Sequence, residues 1–328
     1  MDHNRYVVSI RPAGLGDRLI CLCAAWRFAR NTRRILLADW RHSRYAPSPG
    51  ANLFPLCFEP SQDIAGVSFV GDNTVGTIIL PSPRFPAIWE DEMLRQLPFL
   101  RPEATLQQNR DDAAALIRSG TDVSAPTVVF DGCINDGVMS WAEARTVFEA
   151  LHPVADAVDQ VSAFRNSHLL PGPTIGLHVR HGNGGDIMGH SPFWDSFDNA
   201  MARCRLAVEA ARASLGQGSV VLLCTDSLDV QRALCQSIPG VVCRNKRFRD
   251  PGSGELHRWR DASLGRDDAL IEMLLLAECD ILIRYPPGSF FSLYAAVMKR
   301  SRLPRPETLY DLQLAYDPRD QLSPALLL

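Results

Sequence analysis

No Cys-x-x-Cys pair occurs in this chain, although it holds nine cysteines in 328 residues. Zinc ribbons and dithiol redox motifs need that spacing, so neither is expected. Cys21, Cys23, Cys224 and Cys279 fall inside apolar stretches and read as buried thiols of a reducing compartment. Long hydrophobic runs are also missing. The longest, such as Leu274-Leu275-Leu276-Ala277, fall far short of the roughly 20 residues that a bilayer-spanning helix demands, so no membrane span is expected. Neither sign of charge dominates. With 34 basic and 37 acidic residues, nothing favours nucleic acid or an anionic membrane as a partner. The first residues, Met1-Asp2-His3-Asn4-Arg5, lead straight into a strand pattern. No secretory leader is therefore expected, and the odd cysteine count favours a cytoplasmic protein. An Asp-x-Asp pair, by which a divalent ion holds a diphosphate, is absent. So are internal repeats and low-complexity runs.

What is present is strand and helix in alternation, the signature of an α/β protein with parallel sheets. Tyr6-Val7-Val8-Ser9-Ile10 reads as a strand, and Arg11-Pro12-Ala13-Gly14-Leu15-Gly16-Asp17 as a turn. A helix over about 17–30 follows, with Asp17 as its expected N-cap, and then a strand over 35–39. A dinucleotide loop would need a third glycine at position 19, where Leu19 stands, so a nicotinamide cofactor is disfavoured. The glycine turn remains a helix start able to meet an anionic or sugar ligand. Trp40 and Tyr45 beside Arg41 and Arg44 read equally as a sugar face or an ordinary surface loop. Short strands are expected at 67–70 and 77–80. Pro81, Pro83, Pro86 and Trp89 lie in a connection able to carry acceptor contacts. Beyond a strand at 127–131, Ser140 with Glu143 spells a capping box for a helix to about Leu151. A second helix over 154–165 carries the expected domain boundary, near residue 155. The second half then alternates: strands at 174–179, 220–224, 241–243 and 281–283, with helices over 193–215, 228–237, 268–279 and 289–298. The loop over 244–266 is long enough to be a lid or binding loop.

The chemistry gathers after the strand at 174–179. His178-Val179-Arg180-His181-Gly182-Asn183 runs on through Asp186 to Met188-Gly189-His190, a loop of glycines and polar groups at a strand end. That is where an α/β sheet places its ligand. Arg180 offers a fork shaped for phosphate oxygens. Thr225-Asp226-Ser227 and Pro287-Gly288-Ser289 should emerge on the same side of the sheet, and the latter begins a helix whose free N–H groups favour a phosphate. Glu272 lies in the apolar run Ala269-Leu270-Ile271-Glu272-Met273-Leu274. A buried carboxylate there must be paired; the donor-rich edge of guanine is one fitting partner. The alternative is that Glu272 emerges at the helix surface.

These residues resemble the rhizobial nodulation-factor fucosyltransferases, the NodZ type. The resemblance is carried by the 178–190 stretch, Gly14-Leu15-Gly16-Asp17 with Ala24-Ala25-Trp26-Arg27, Asp39-Trp40-Arg41, Leu223-Cys224-Thr225-Asp226-Ser227, and Ile283-Arg284-Tyr285-Pro286-Pro287 with Ser289. It implies two Rossmann-like domains of the GT-B type, with acceptor binding assigned to 1–155 and GDP-fucose binding to 156–328. It implies inverting, metal-independent transfer of fucose from GDP-fucose to the 6-hydroxyl of N-acetylglucosamine in a chitin oligosaccharide. Carried over by motif, Arg180 would neutralise the leaving β-phosphate, and His178 and Glu272 would face guanine. Lys246 would add charge to the diphosphate, and Ser289, Phe290 and Phe291 would form the phosphate-binding helix start. Gly14, Gly16 and Asn183 join the donor-binding set. Asp186, with His181 and His190 behind it, is the candidate base. Departures are Gly288 and Phe290, where the family has Thr and Ala, and Arg18, where it has Cys. Competing readings are another acceptor or linkage, or a nucleotide-sugar-binding protein without turnover.

Overall fold

The computed structural model describes residues 5–41, 48, 50–91, 111–112, 114–132, 139–169, 171–182, 194, 196–248, 262–286 and 289–298. The expectations placed on Tyr45, Asn183, Asp186, His190 and Gly288 lie outside these residues. The chain divides between Val154 and Ala155 into two compact units.

The first unit is built on β1 (Tyr6–Ser9), β2 (Ile35–Ala38), β3 (Asp63–Ile64), β4 (Val67–Val70), β5 (Arg84–Phe85) and β6 (Thr127–Phe130). Their order is β3-β4-β2-β1-β6-β5. β1 pairs in parallel with both β2 and β6, and β3 runs antiparallel to β4. Helix α1 (Leu15–Thr32) crosses from β1 to β2 and is buried along most of its length. Its N-cap is Gly14, not Asp17. Asp17 lies in the first turn, where its charge suits the helix dipole, and it faces Arg11 at 3.5 Å. The expected strand at 77–80 does not form. Asp72 accepts the N–H of Thr74 and caps a 3₁₀ turn, Asn73–Thr77, which takes the chain out of strand geometry. Ser140 and Glu143 form the capping box of α2 (Trp141–Glu149) in both directions.

Trp40 and Trp89 are both fully buried. Trp40 packs edge-on to Phe54 at 5.3 Å, and Trp89 joins the core with Val8, Leu37 and Val129. Neither offers a sugar face. Their large apolar area is worth more inside than at the surface.

The second unit begins with α3 (Ala155–Phe164), which runs on as a π turn, Arg165–Leu169. Its sheet is β7 (Thr174–Val179), β8 (Val220–Thr225), β9 (Val241–Cys243) and β10 (Ile281–Tyr285). The order is β10-β7-β8-β9, parallel throughout. Every residue of β7 is buried, as a central strand covered on both faces requires. The covering helices are α4 (Phe197–Leu215), α5 (Leu228–Ser237), α6 (Ala262–Glu278) and α7 (Phe290–Met298). Helix α4 starts later than expected because the Ser196 side chain accepts the N–H of Asn199 and sets the cap there. Helix α6 opens at Ala262, six residues before the expected Asp268, and shortens the 244–266 loop accordingly. Within β7, Gly176 lies hard against the end of α6. A Cβ there would come within 3.0 Å of Leu276 and 3.1 Å of the Cys279 sulfur, so a side chain at this position would push helix from sheet.

In each unit the chain leaves its first strand toward one side of the sheet and later returns on the other. The switch falls between β1 and β6 in the first unit and between β7 and β10 in the second. Open α/β sheets bind ligands outside the strand carboxyl ends at such points.

Candidate functional site

At the carboxyl end of the second sheet, the N–H of Arg180 donates to the Tyr285 carbonyl at 2.7 Å and carries the β7–β10 pairing one step further. Its guanidinium pairs with Asp226, the residue just past β8. That same carboxylate accepts the N–H of His181 at 2.8 Å and of Gly182 at 3.0 Å. One acid therefore holds both the backbone and the side chain of the loop's first three residues. Gly182 has φ 73°, a left-handed backbone in which a Cβ is strained. Asp226, which the sequence brought to this end of the sheet without a role, is the residue that holds the loop in place. Its place in Thr225-Asp226-Ser227 at a strand end was the signal; its partners lie 44–46 positions away.

His178 is buried in β7 and stands level with Arg284 on β10 and Cys224 on β8. Its ring lies 4.9 Å from Phe291 at an interplanar angle of 30°. Burial drives its pKa well below the ordinary 6.5, and the nearby charges of Arg284, Arg180 and Lys246 push the same way. The imidazole is neutral, and its Nδ1 has no hydrogen-bond partner among the described residues. His181 is also held below its ordinary value, chiefly by burial. It packs edge-on to Trp194 at 5.0 Å and Phe197 at 5.8 Å, and its Nδ1 likewise finds no partner.

Glu272 does not emerge at the helix surface. Both of its oxygens take hydrogen bonds from the Lys246 ammonium, at 2.6 and 2.7 Å, and the two side chains are only 6% and 5% exposed. Burial by itself would lower the Lys246 pKa; the adjacent carboxylate outweighs this and holds it above its ordinary value. Lys246 also lies 5.3 Å from the centre of the Phe248 ring. Arg284 donates to the Ser292 hydroxyl and the Ser289 carbonyl, both at 3.0 Å. Helix α7 begins at Phe290, so Ser289 precedes it, with Phe290 and Phe291 in its first turn.

The structure thus brings Arg180, His181, His178, Lys246, Glu272, Ser289, Phe290 and Phe291 to one end of one sheet. Gly14 and Gly16 belong to the first unit, where Gly14 caps α1 and Gly16 is buried in its first turn. There Arg18 folds back to donate to the Ala13 carbonyl at 2.9 Å and lies 5.8 Å from the Trp40 ring. Among the described residues no group of three or more His, Cys, Asp or Glu stands ready to hold a metal ion, and no helix is long and apolar enough to cross a membrane.

A family model for nodulation protein Z (NodZ) matches residues 3–306. The chain belongs to the nodulation protein Z family. Nodulation protein Z of Sinorhizobium fredii is 41% identical over 294 residues, which cover 89% of this chain and 90% of that protein. The crystal structure of NodZ alpha-1,6-fucosyltransferase soaked with GDP-fucose superposes with a TM-score of 0.76 at 32% identity, covering 90% of this chain and 93% of that one. POFUT1 in complex with GDP-fucose shares the fold alone, with a TM-score of 0.51 at 11% identity over 94% of this chain and 98% of that one. The fold of this NodZ family member is α/β, two Rossmann-like domains of the GT-B type.

Proposed function

We propose that this protein is an α-1,6-fucosyltransferase that moves fucose from GDP-fucose to the 6-hydroxyl of N-acetylglucosamine in a chitin oligosaccharide. The observation that carries the reading is the cluster of Arg180, Lys246 and Arg284 around the neutral His178 at the switch point of the second sheet. Cations gathered at a strand end beside a helix start suit a diphosphate. The reading draws further support from the NodZ structure soaked with GDP-fucose.

In this mechanism the second unit holds the donor and the first receives the acceptor. His178 meets guanine and the Ser289–Phe290–Phe291 helix start meets the diphosphate; Glu272 reaches guanine and Lys246 the phosphates once their buried pair opens on donor binding. Asn183 completes the donor contacts of the second unit. The acceptor's 6-oxygen attacks the anomeric carbon from the face opposite GDP. The bond from that carbon to the β-phosphate oxygen breaks, and its electron pair leaves with GDP. Arg180 neutralises the charge that develops there, the main demand of an oxocarbenium-like transition state. The hydroxyl proton passes to a base, for which Asp186 and the neutral imidazole of His181 are the candidates. The charge work falls to side chains, so no metal is required.

The test is transfer from GDP-fucose in EDTA onto chitin oligosaccharides and N-glycan cores, read by mass. The expected result is one deoxyhexose added to chitin oligomers. Transfer only to other acceptors would refute the acceptor assignment. Absence of both transfer and GDP release would refute the enzyme reading.

A further inference from the structure

Arg284 is a charged residue in the middle of an apolar strand end, only 3% exposed. It stands across from His178 on β7, and its fork spans two acceptors. Nε donates to the Ser292 hydroxyl and a terminal nitrogen to the Ser289 carbonyl, each at 3.0 Å. The Ser292 hydroxyl in turn lies 3.4 Å from the Ser289 carbonyl. Ser289 precedes α7, and Ser292 is in its first turn. One side chain thereby ties the end of β10 to the point where the free N–H groups of α7 begin. Burial pulls the guanidinium down to about 10, a value at which it stays charged at neutral pH. Taking a guanidinium out of water is costly unless its hydrogen bonds are made. The charge and the two-point grip are suited to a purpose other than stability.

We propose that Arg284 is a positioning residue of the donor site: it sets the start of α7 beside β7 so that the helix N–H groups and Arg180 engage one diphosphate together. The inference rests on the GDP-fucose reading above. A rigid fork is required, because a lysine keeps the charge but cannot bridge two acceptors in a fixed plane. The purine end of the ligand is left to other side chains. Loss of Arg284 should therefore be felt through the phosphates and not through the base.

The experiment compares GDP, by calorimetry, with guanosine, by ligand-observed NMR, on wild-type protein, Arg284→Met, Arg284→Lys and Ser292→Ala. Arg284→Met should weaken GDP by about tenfold or more and leave guanosine within about twofold, because a charge-assisted phosphate arrangement is lost and the base contacts are kept. Arg284→Lys should recover part of the loss, and Ser292→Ala should weaken GDP by a few fold. Should Arg284→Met fail to fold by circular dichroism, the same comparison on Arg284→Lys and Ser292→Ala decides the matter. Equal weakening of GDP and guanosine, or no weakening of GDP, would overturn the proposal. Wild-type protein that binds no GDP would instead overturn the donor reading.

Discussion

At the carboxyl end of β1, the arginines turn onto acids and carbonyls of their own unit. Arg11 meets Asp17 and the Asp131 carbonyl, Arg41 grips Asp39 with two bonds at 2.7 and 2.8 Å, and Arg18 folds back on Ala13. At the carboxyl end of β7 the cations have partners too, Asp226 for Arg180 and Glu272 for Lys246, but Arg180, Lys246 and Arg284 all act on one buried imidazole, that of His178. The topological position is the same in both units. An end where cations converge suits an anion. The fold supplies the crevice twice, and a few side chains decide what each crevice accepts.

The harshest way to break this contrast is Lys246→Met. It strips the Glu272 carboxylate of its cation inside the protein and should cost about 3–5 kcal/mol in urea denaturation. Replacing both, as Lys246→Met with Glu272→Leu, should restore most of that. The Arg5–Asp122 pair of the first unit is about one-third exposed on each side, and Arg5→Ala, which leaves Asp122 on the buried Arg34, should cost about 1 kcal/mol or less. If the two pairs cost the same, the second site is not the buried charge cluster described above.

Arg180→Ala should lower transfer by about 10²–10³-fold with the fold retained, the usual scale for losing one group that stabilises transition-state charge. Arg11→Ala should cost far less. Comparable losses in turnover assays would erase the distinction between the two ends. Gly176→Ala sharpens the packing side of the comparison: the tight approach of α6 should make it cost about 1–3 kcal/mol. At Gly14 a Cβ meets only Asp17 at 3.4 Å, so Gly14→Ala should stay within about 1 kcal/mol of wild type.

The response to acid tests the burial of the site from another side. His178 and His181 are both held below 6.5 when folded. Below that pH the unfolded imidazoles bind protons that the folded ones do not, so stability falls as pH drops from 7 toward 5. The slope is at most about 1.4 kcal/mol per pH unit for each proton. Replacing His178 by Phe should flatten the melting temperature profile across that window. An unchanged profile would mean the imidazole is not buried in its neutral form.

Much of the architecture could be read from the chain alone, and so could the gathering of chemistry after β7. Strands β1, β7 and β8 declare themselves as apolar runs, and the box of Ser140 and Glu143 is a local device spanning three residues. The misreadings share a cause. Asp17 looked like a cap because only the residue type was visible. The true cap, Gly14, follows from where the chain turns. The stretch 77–80 looked apolar enough for a strand, yet the Asp72 side chain had already diverted the backbone into a 3₁₀ turn. Trp40 read equally as a sugar face or a surface loop, and its burial is neither, because composition cannot say which side of a surface an aromatic occupies.

By itself the sequence determined periodicity, the capping box of Ser140 and Glu143 and the motifs at strand ends, since these depend on neighbours a few residues apart. Only the tertiary structure decided who pairs with whom. Glu272 answers to Lys246 across 26 positions, and Arg180 to Asp226 across 46. The partner of a buried charge is chosen by the low dielectric around it and by whichever opposite charge the packed helices and strands bring within reach.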